Sequence, residues 1–147
     1  MADRYEQGTD VTGAVRVLHV MVVTPEATVL RRNAEFVALP LYDGELGVLP
    51  GRAPLIGRLG FGELRVREGD VVDRYFVEGG FAQVVGDNIS VLTNHAIPAD
   101  KIDADVAREQ LSEAQSRKAN TDELLEIRDR LIKQARAQIR IAERTGK

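Results

Sequence analysis

The sequence predicts an α+β chain: an N-terminal antiparallel β-sandwich or flattened β-barrel, followed by a C-terminal antiparallel two-helix hairpin. Three observations predict it. Between Val15 and Thr93, short β-branched runs alternate with Gly, Pro, Asn and Asp turn signals, the pattern of sandwiches and small barrels. After Ile97-Pro98 the apolar period lengthens to that of a helix. The charge balance also reverses there: residues 1–100 carry nine Lys/Arg against fourteen Asp/Glu, whereas residues 101–147 carry eleven against nine. Such a split points to two parts with different partners.

The elements follow in order. Residues 1–14 read as a flexible extension, 15–97 as the sandwich and 98–147 as the helical hairpin. "VRVLHVMVV", from Val15, is nearly continuous and is expected to be a strand buried on much of both faces. "ATVLR", "AEFVALPL", "LIGRL", "ELRVRE", "VVDRYFV", "FAQVV" and "NISVLT" supply the further strands. Glu68-Gly69-Asp70 and Gly86-Asp87-Asn88 join two pairs of them as hairpins, because these residues tolerate positive φ. Pro40 inside its run predicts an edge strand or a bulge.

The helices are expected over about 103–118 and 121–144. Asp103 can cap the first, with Ile102 stapled onto Ala107, and Val106/Ala107, Leu111 and Ala114 share one face. Asn120, with Glu123 three residues later, is the expected cap of the second. There Leu124, Ile127, Leu131, Ala135, Ile139 and Ala142 share a broad apolar face. Arg130, Lys133, Arg136, Arg140 and Arg144 fall within roughly 120° on the opposite side. Over 130–147, six basic residues face the single acid Glu143.

Composition narrows the function. A length of 147 residues with 44% apolar content suits a folded domain with an appendage. No cysteine is present, so disulfides and thiolate metal sites are excluded. The longest valine-rich run carries Arg16 and His19 and is far shorter than the ~20 residues of a membrane helix. "MADRYEQGTDVTGA" has no apolar segment of the secretory type. A soluble, cytosolic protein without direct membrane insertion is expected.

Catalysis finds little support. There is no phosphate-binding Gly-x-x-x-x-Gly-Lys-Ser/Thr loop and no Gly-x-Ser-x-Gly elbow. His19 and His95 lie far apart without ligand-spaced companions, and His19 reads as a tolerated strand residue. A carboxylate pair of Asp43 and Glu45 is the one enzymatic alternative, but neighbouring turn carboxylates are ordinarily solvated. Net acidity and the lack of aromatic repeats argue against a nucleic-acid partner. An interaction protein remains, either an adaptor or a subunit of a larger assembly.

"GELGVLPGRAPL" (44–55) decides between them, together with "GELRVRE", "YFVEGGFAQV" and "ISVLTNHA" downstream. The chain resembles the epsilon subunit of bacterial F-type ATP synthases, whose signature is Gly-Glu-(Phe/Leu)-Gly-(Val/Ile)-(Leu/Tyr)-Pro-Gly-His-Ala-Pro-Leu. Every position matches except the histidine, which is Arg52 here. The order of segments agrees from Leu18 to the C-terminus.

The resemblance implies a non-catalytic rotor subunit of a proton-driven synthase, peripheral on the cytoplasmic face of the bacterial inner membrane. Its partners would be the gamma subunit, the c-subunit ring, and the beta and alpha subunits of the catalytic head. Glu45, with Gly44, Leu46 and Gly47, would meet the polar loops of the ring. Gly44, Gly47, Pro50, Gly51 and Pro54 would stiffen a tip that transmits torque. An exposed ion pair there contributes only ~0–1 kcal/mol, so apolar area at Leu46, Val48 and Leu49 is expected to provide most of the adhesion. The basic stripe from Arg130 to Arg144 would engage acidic segments of the beta subunits and restrain ATP hydrolysis. Some epsilon subunits bind ATP through (Ile/Leu)-Asp-x-x-Arg-Ala. Here Ile102, Asp103 and Ala107 match, but Val106 replaces the arginine and Arg108 points about 200° away around the helix. Weak or absent ATP binding, and no cofactor, is therefore expected.

Overall fold

The computed structural model describes residues 16–144. The expected extension over 1–14 and the strand start at Val15 lie outside the described residues. The chain divides into two compact units, Met1–Ala96 and Ile97–Lys147.

The described strands form a sandwich of two five-stranded sheets. One sheet has the order β2-β1-β9-β8-β5, built from Thr28–Ala34, Leu18–Val23, Asn88–Leu92, Phe81–Val85 and Leu55–Arg58. The other has the order β10-β7-β6-β3-β4, from Ala96–Pro98, Val71–Glu78, Phe61–Glu68, Phe36–Leu41 and Gly44–Val48. Strands β6 and β7, and β8 and β9, are the two expected hairpins, with Gly69 at φ 59° and Gly86 at φ 59° in their turns. One pairing departs from the wholly antiparallel sheet expected: β1 lies parallel to β9, His19 opposite Asn88 through Val23 opposite Leu92. A parallel neighbour needs a long crossover, here the whole intervening sandwich, and no local signal announces it.

Strand alternation builds the core. Leu18, Val20 and Val22 of β1, Val37 and Leu39 of β3, and Val48 of β4 all point into the interlayer. They meet Leu64 and Val66 of β6, Val77 of β7, Val84 of β8, and Ile89 and Val91 of β9. Each such buried aliphatic stabilises the fold by about 1.5–3 kcal/mol before entropy. The expectation that β1 is buried on both faces is corrected: His19 is exposed and Met21 and Val23 only half-buried. Apolar identity does not distinguish a strand covered on both faces from one covered on one.

Pro40 also departs from expectation, since β3 is an interior strand between β6 and β4. Its carbonyl accepts from the Gly60 N–H at 2.9 Å, on the side away from β4. Backbone N and O of one strand residue point the same way, so the missing proline N–H removes no bond from the β3–β4 ladder.

In the second unit a short 3-10 turn, Ala99–Lys101, leads into α1, Ala104–Ser116, and α2 follows at Asp122–Arg144. Asp103 caps α1 as expected, its Oδ1 accepting from the Asp105 N–H at 2.9 Å and the Val106 N–H at 3.3 Å. The cap of α2 is Thr121, whose Oγ1 accepts from the Leu124 N–H at 3.1 Å, and not Asn120. Both residues are good cappers, so sequence alone could not choose. Small side chains dominate the buried positions: Ala104, Ala107 and Ala114 of α1, and Ala135, Ala137, Ile141 and Ala142 of α2. Val106, Leu124 and Ile127, expected on buried faces, are exposed.

Two glycines separate backbone strain from crowding. Gly80 has φ 96°, and a Cβ there would overlap the Leu92 carbonyl oxygen, whereas Gly69 has φ 59° in open space. Gly69→Ala should lower unfolding free energy by about 1 kcal/mol, and Gly80→Ala by at least about 3 kcal/mol. Urea denaturation of the two variants measures the difference; equal losses would refute the crowding at Gly80.

Candidate functional site

Glu45 is carried on a strand, which corrects the expectation that it crowns a Gly-Pro loop. Tyr42 and Asp43 turn the chain between β3 and β4, and Glu45 then pairs across with Pro40. Pro50-Gly51 lies beyond the far end of β4, which stops at Val48. Two separate features therefore replace the single tip.

The geometry at Glu45 follows from the pleat. Leu46 and Val48 stand opposite Leu39 and Val37 and face the core, so Glu45 and Gly47 face outward. Arg65, outward-facing on β6, stands opposite Ala38 of β3. It reaches over that small residue to β4. Both guanidinium nitrogens Nη1 and Nη2 donate to the Glu45 carboxylate, each at 2.9 Å. This bond to Glu45 is the leading reason that Arg65 is pushed above the ordinary guanidinium range. Arg65 also lies 3.4 Å from the carboxylate of Glu63, and Arg74, opposite Arg65 across the β6–β7 pair, lies 3.4 Å from the same Glu63 oxygen. The Glu63 side chain is only 3% exposed, that of Glu45 50%. Four charges of alternating sign thus run across three strands and end at the sheet edge on a half-exposed carboxylate. Beside them, Arg67 stacks over the Phe36 ring, against which a Cβ at Gly47 would collide.

The loop after β4 is held separately. Gly51 has φ 89°, and its N–H donates to Asp87 Oδ1 at 3.3 Å. Asp87, in the β8–β9 turn, also receives Arg16 Nε at 3.0 Å and Nη2 at 2.6 Å. Leu49, Arg52, Ala53 and Pro54 are exposed. The expected adhesive set of Leu46, Val48 and Leu49 is corrected to Leu49 alone, since Val48 is fully buried and Leu46 packs on the core.

A second exposed region was not foreseen. On the outer face of the β2-β1-β9-β8-β5 sheet, Phe81 stands opposite Leu92, and Leu92 opposite Val23. Phe81, Leu92, Val85 and Ile56 are all exposed apolar side chains. Consecutive apolar pairs such as Leu55-Ile56 and Val84-Val85 were the available signal, because a half-buried strand needs only one of each pair.

In the helical unit, Arg130, Lys133, Arg136, Arg140 and Arg144 are all exposed along α2. Among the described residues, the first four have no ion-pair partner. The three residues matching the ATP motif have structural roles: Ile102 and Ala107 are buried and Asp103 is the cap. Val106 is exposed. Arg108 is engaged by Asp105 at 3.1 Å and by Glu143 of α2 at 3.6 Å. The hollow at this helix start is lined by Asp100, Asp103 and Asp105 against Lys101 and Arg108.

The family model of the ATP synthase delta/epsilon chain β-sandwich domain matches residues 17–99. The ATP synthase epsilon chain of Rhodopirellula baltica is 52% identical over 123 residues, 84% of this chain and 96% of the relative. That of Granulibacter bethesdensis is 38% identical over 126 residues, 82% of this chain and 93% of the relative. Among solved structures, a chain of the Euglena gracilis mitochondrial ATP synthase aligns with a TM-score of 0.68 and 25% identity. It covers 86% of this chain and 78% of its own length. A chain of the Tetrahymena thermophila mitochondrial ATP synthase shares the fold, with a TM-score of 0.68 and 14% identity, over 85% of this chain and 96% of its own.

Asp87 is the residue to test for loop order. Asp87→Ala should speed hydrogen exchange at the Gly51 amide roughly tenfold, the loss of one charge-assisted bond, and leave Gly69 unchanged. Unaltered exchange at Gly51 would show that the loop is held by other contacts.

Proposed function

The chain belongs to the ATP synthase delta/epsilon family as an epsilon-type chain, and from that premise we propose that it is the rotor subunit joining gamma to the c-subunit ring. The observation that carries this reading is the 52% identity over 123 residues, which extends past the sandwich into the helices. Epsilon chains are non-catalytic subunits, and Glu45 of the β4 edge and Glu63 of β6 are engaged in ion pairs with Arg65 and Arg74. No described helix is long and apolar enough to cross a membrane. In this reading the subunit meets the membrane only through the complex, on its cytoplasmic face.

Two sandwich surfaces divide the rotor contacts. The β4 edge presents Glu45 to the polar loops of the ring, with Tyr42 exposed at the adjoining turn. The outer face with Ile56, Phe81, Val85 and Leu92 meets gamma, since a fixed rotor joint requires more apolar burial than an edge carboxylate provides. The α2 stripe supplies the brake. Its cations Arg130, Lys133, Arg136 and Arg140, at helical spacing, can dock on acidic segments of the beta and alpha subunits without first breaking salt bridges among the described residues.

The subunit does not hold ATP tightly. Three carboxylates line the hollow at the α1 start, Arg108 is already committed to two acids, and the exposed Val106 offers no charge to a phosphate.

Removing residues from Ala99 onward should raise ATP hydrolysis by the assembled synthase while the truncated subunit still assembles. Steady-state ATPase assays on purified complexes measure this, and unchanged hydrolysis would dismiss the brake. Titration calorimetry of the isolated subunit should give no saturable ATP heat at physiological nucleotide levels, whereas tight binding by the unaltered chain would contradict the charge reading.

A further inference from the structure

The ion pair at the sheet edge changes what the ring contact can be. A free carboxylate would attract a basic loop over a Debye length. Glu45 is instead matched by Arg65 through two parallel bonds of 2.9 Å. The local charge is largely cancelled, and what remains outward is the unshared acceptor capacity of a half-exposed carboxylate.

We propose that Arg65 is a positioning residue for the ring contact: its planar fork holds Glu45 in one rotamer, so that Glu45 engages a hydrogen-bond donor on the ring loop by direction rather than by long-range attraction. This inference rests on the reading that Glu45 meets the ring. A solvated glutamate has several rotamers, and freezing one on docking costs side-chain entropy that weakens binding about tenfold. Arg65 meets that cost within the folded subunit, before the partner arrives.

The support behind Arg65 is unusually specific. Ala38 separates it from β4 and is small enough to be bridged. Glu63, almost wholly buried, sits 3.4 Å behind it, and Arg74 faces Glu63 from β7 at 3.4 Å. Removing the Arg65 charge would leave Glu63 with one cation fewer, so the guanidinium is fixed from behind as well as from the front. Lysine could replace the charge but not the paired geometry, since an ammonium is a point donor.

The test uses the full-length subunit rebound to synthase depleted of it, with affinity and ATP-driven proton pumping both measured. Arg65→Lys keeps the charge beside Glu63 and should fold normally. It should weaken rebinding about five- to tenfold and make binding more sensitive to salt, because a loosened Glu45 acts as an ordinary exposed anion. Glu45→Gln alone should weaken rebinding comparably, and Arg65→Lys added to it should cost nothing further, since the residue being positioned has already lost its charge. Full affinity with an unchanged salt response in Arg65→Lys would overturn the inference, as would additive losses in the double variant. If Glu45→Gln itself has no effect on binding or pumping, the ring-contact reading fails instead, and the two failures are told apart. Arg65→Met provides a second variant of the same kind, with the sandwich melting temperature reporting any loss of fold.

Discussion

The register of β4 against β3 is the constraint on which the exposed edge of the sandwich depends. With Val48 opposite Val37 and Leu46 opposite Leu39, the apolar side chains of β4 enter the core. The intervening positions, Glu45 and Gly47, are then forced outward. A slip of one residue would exchange these sets, burying a carboxylate and exposing two aliphatics. The hydrophobic interlayer therefore does more than stabilise the sandwich. It aims the one acidic side chain of the edge strand, and the long reach of Arg65 across Ala38 works only in that register.

Much of this was legible in the sequence, for physical reasons that also explain the gaps. Turn chemistry and strand period are local, so the β6–β7 and β8–β9 hairpins and the change to helices could be read directly. The Asp103 cap depends on a bond within three residues and was equally accessible. Arg65 and Asp87 were missed because their partners are 20 and 36 residues away along the chain, and pairing across a third strand leaves no periodic trace. Glu63, Arg65 and Arg67 on alternate positions of one strand were the visible hint that charge would be organised on that face. The Gly and Pro residues around Glu45 suggest a loop tip because both are turn formers. Gly44 and Gly47 instead occur within a strand, where Gly47 is required by the Phe36 ring.

The helical unit is built on a different scale of interaction. Its buried positions are mostly alanine, which lets α1 and α2 approach closely but removes little apolar area per residue. Leucines and isoleucines at the α2 start, Leu124, Leu125 and Ile127, remain exposed. A hairpin assembled from alanine contacts and a few exposed ion pairs, such as Arg108 with Glu143, is held together weakly compared with the aliphatic interior of the sandwich. Little stabilisation is therefore forfeited when these two helices separate, compared with opening the sandwich interior.

The parallel neighbour relation of β1 and β9 bears on how the chain is made. During synthesis β1 leaves the ribosome first, yet its inner partner is completed only when Leu92 has emerged. Until then Leu18, Val20 and Val22 have a mate on one flank alone, and the other flank is an open template for any extended peptide nearby. The sheet can close only as a late, long-range event, which slows its formation relative to a meander of the same size. A nascent chain stalled before that strand would carry an unsatisfied edge, so translation speed and chaperone access over this stretch bear directly on yield.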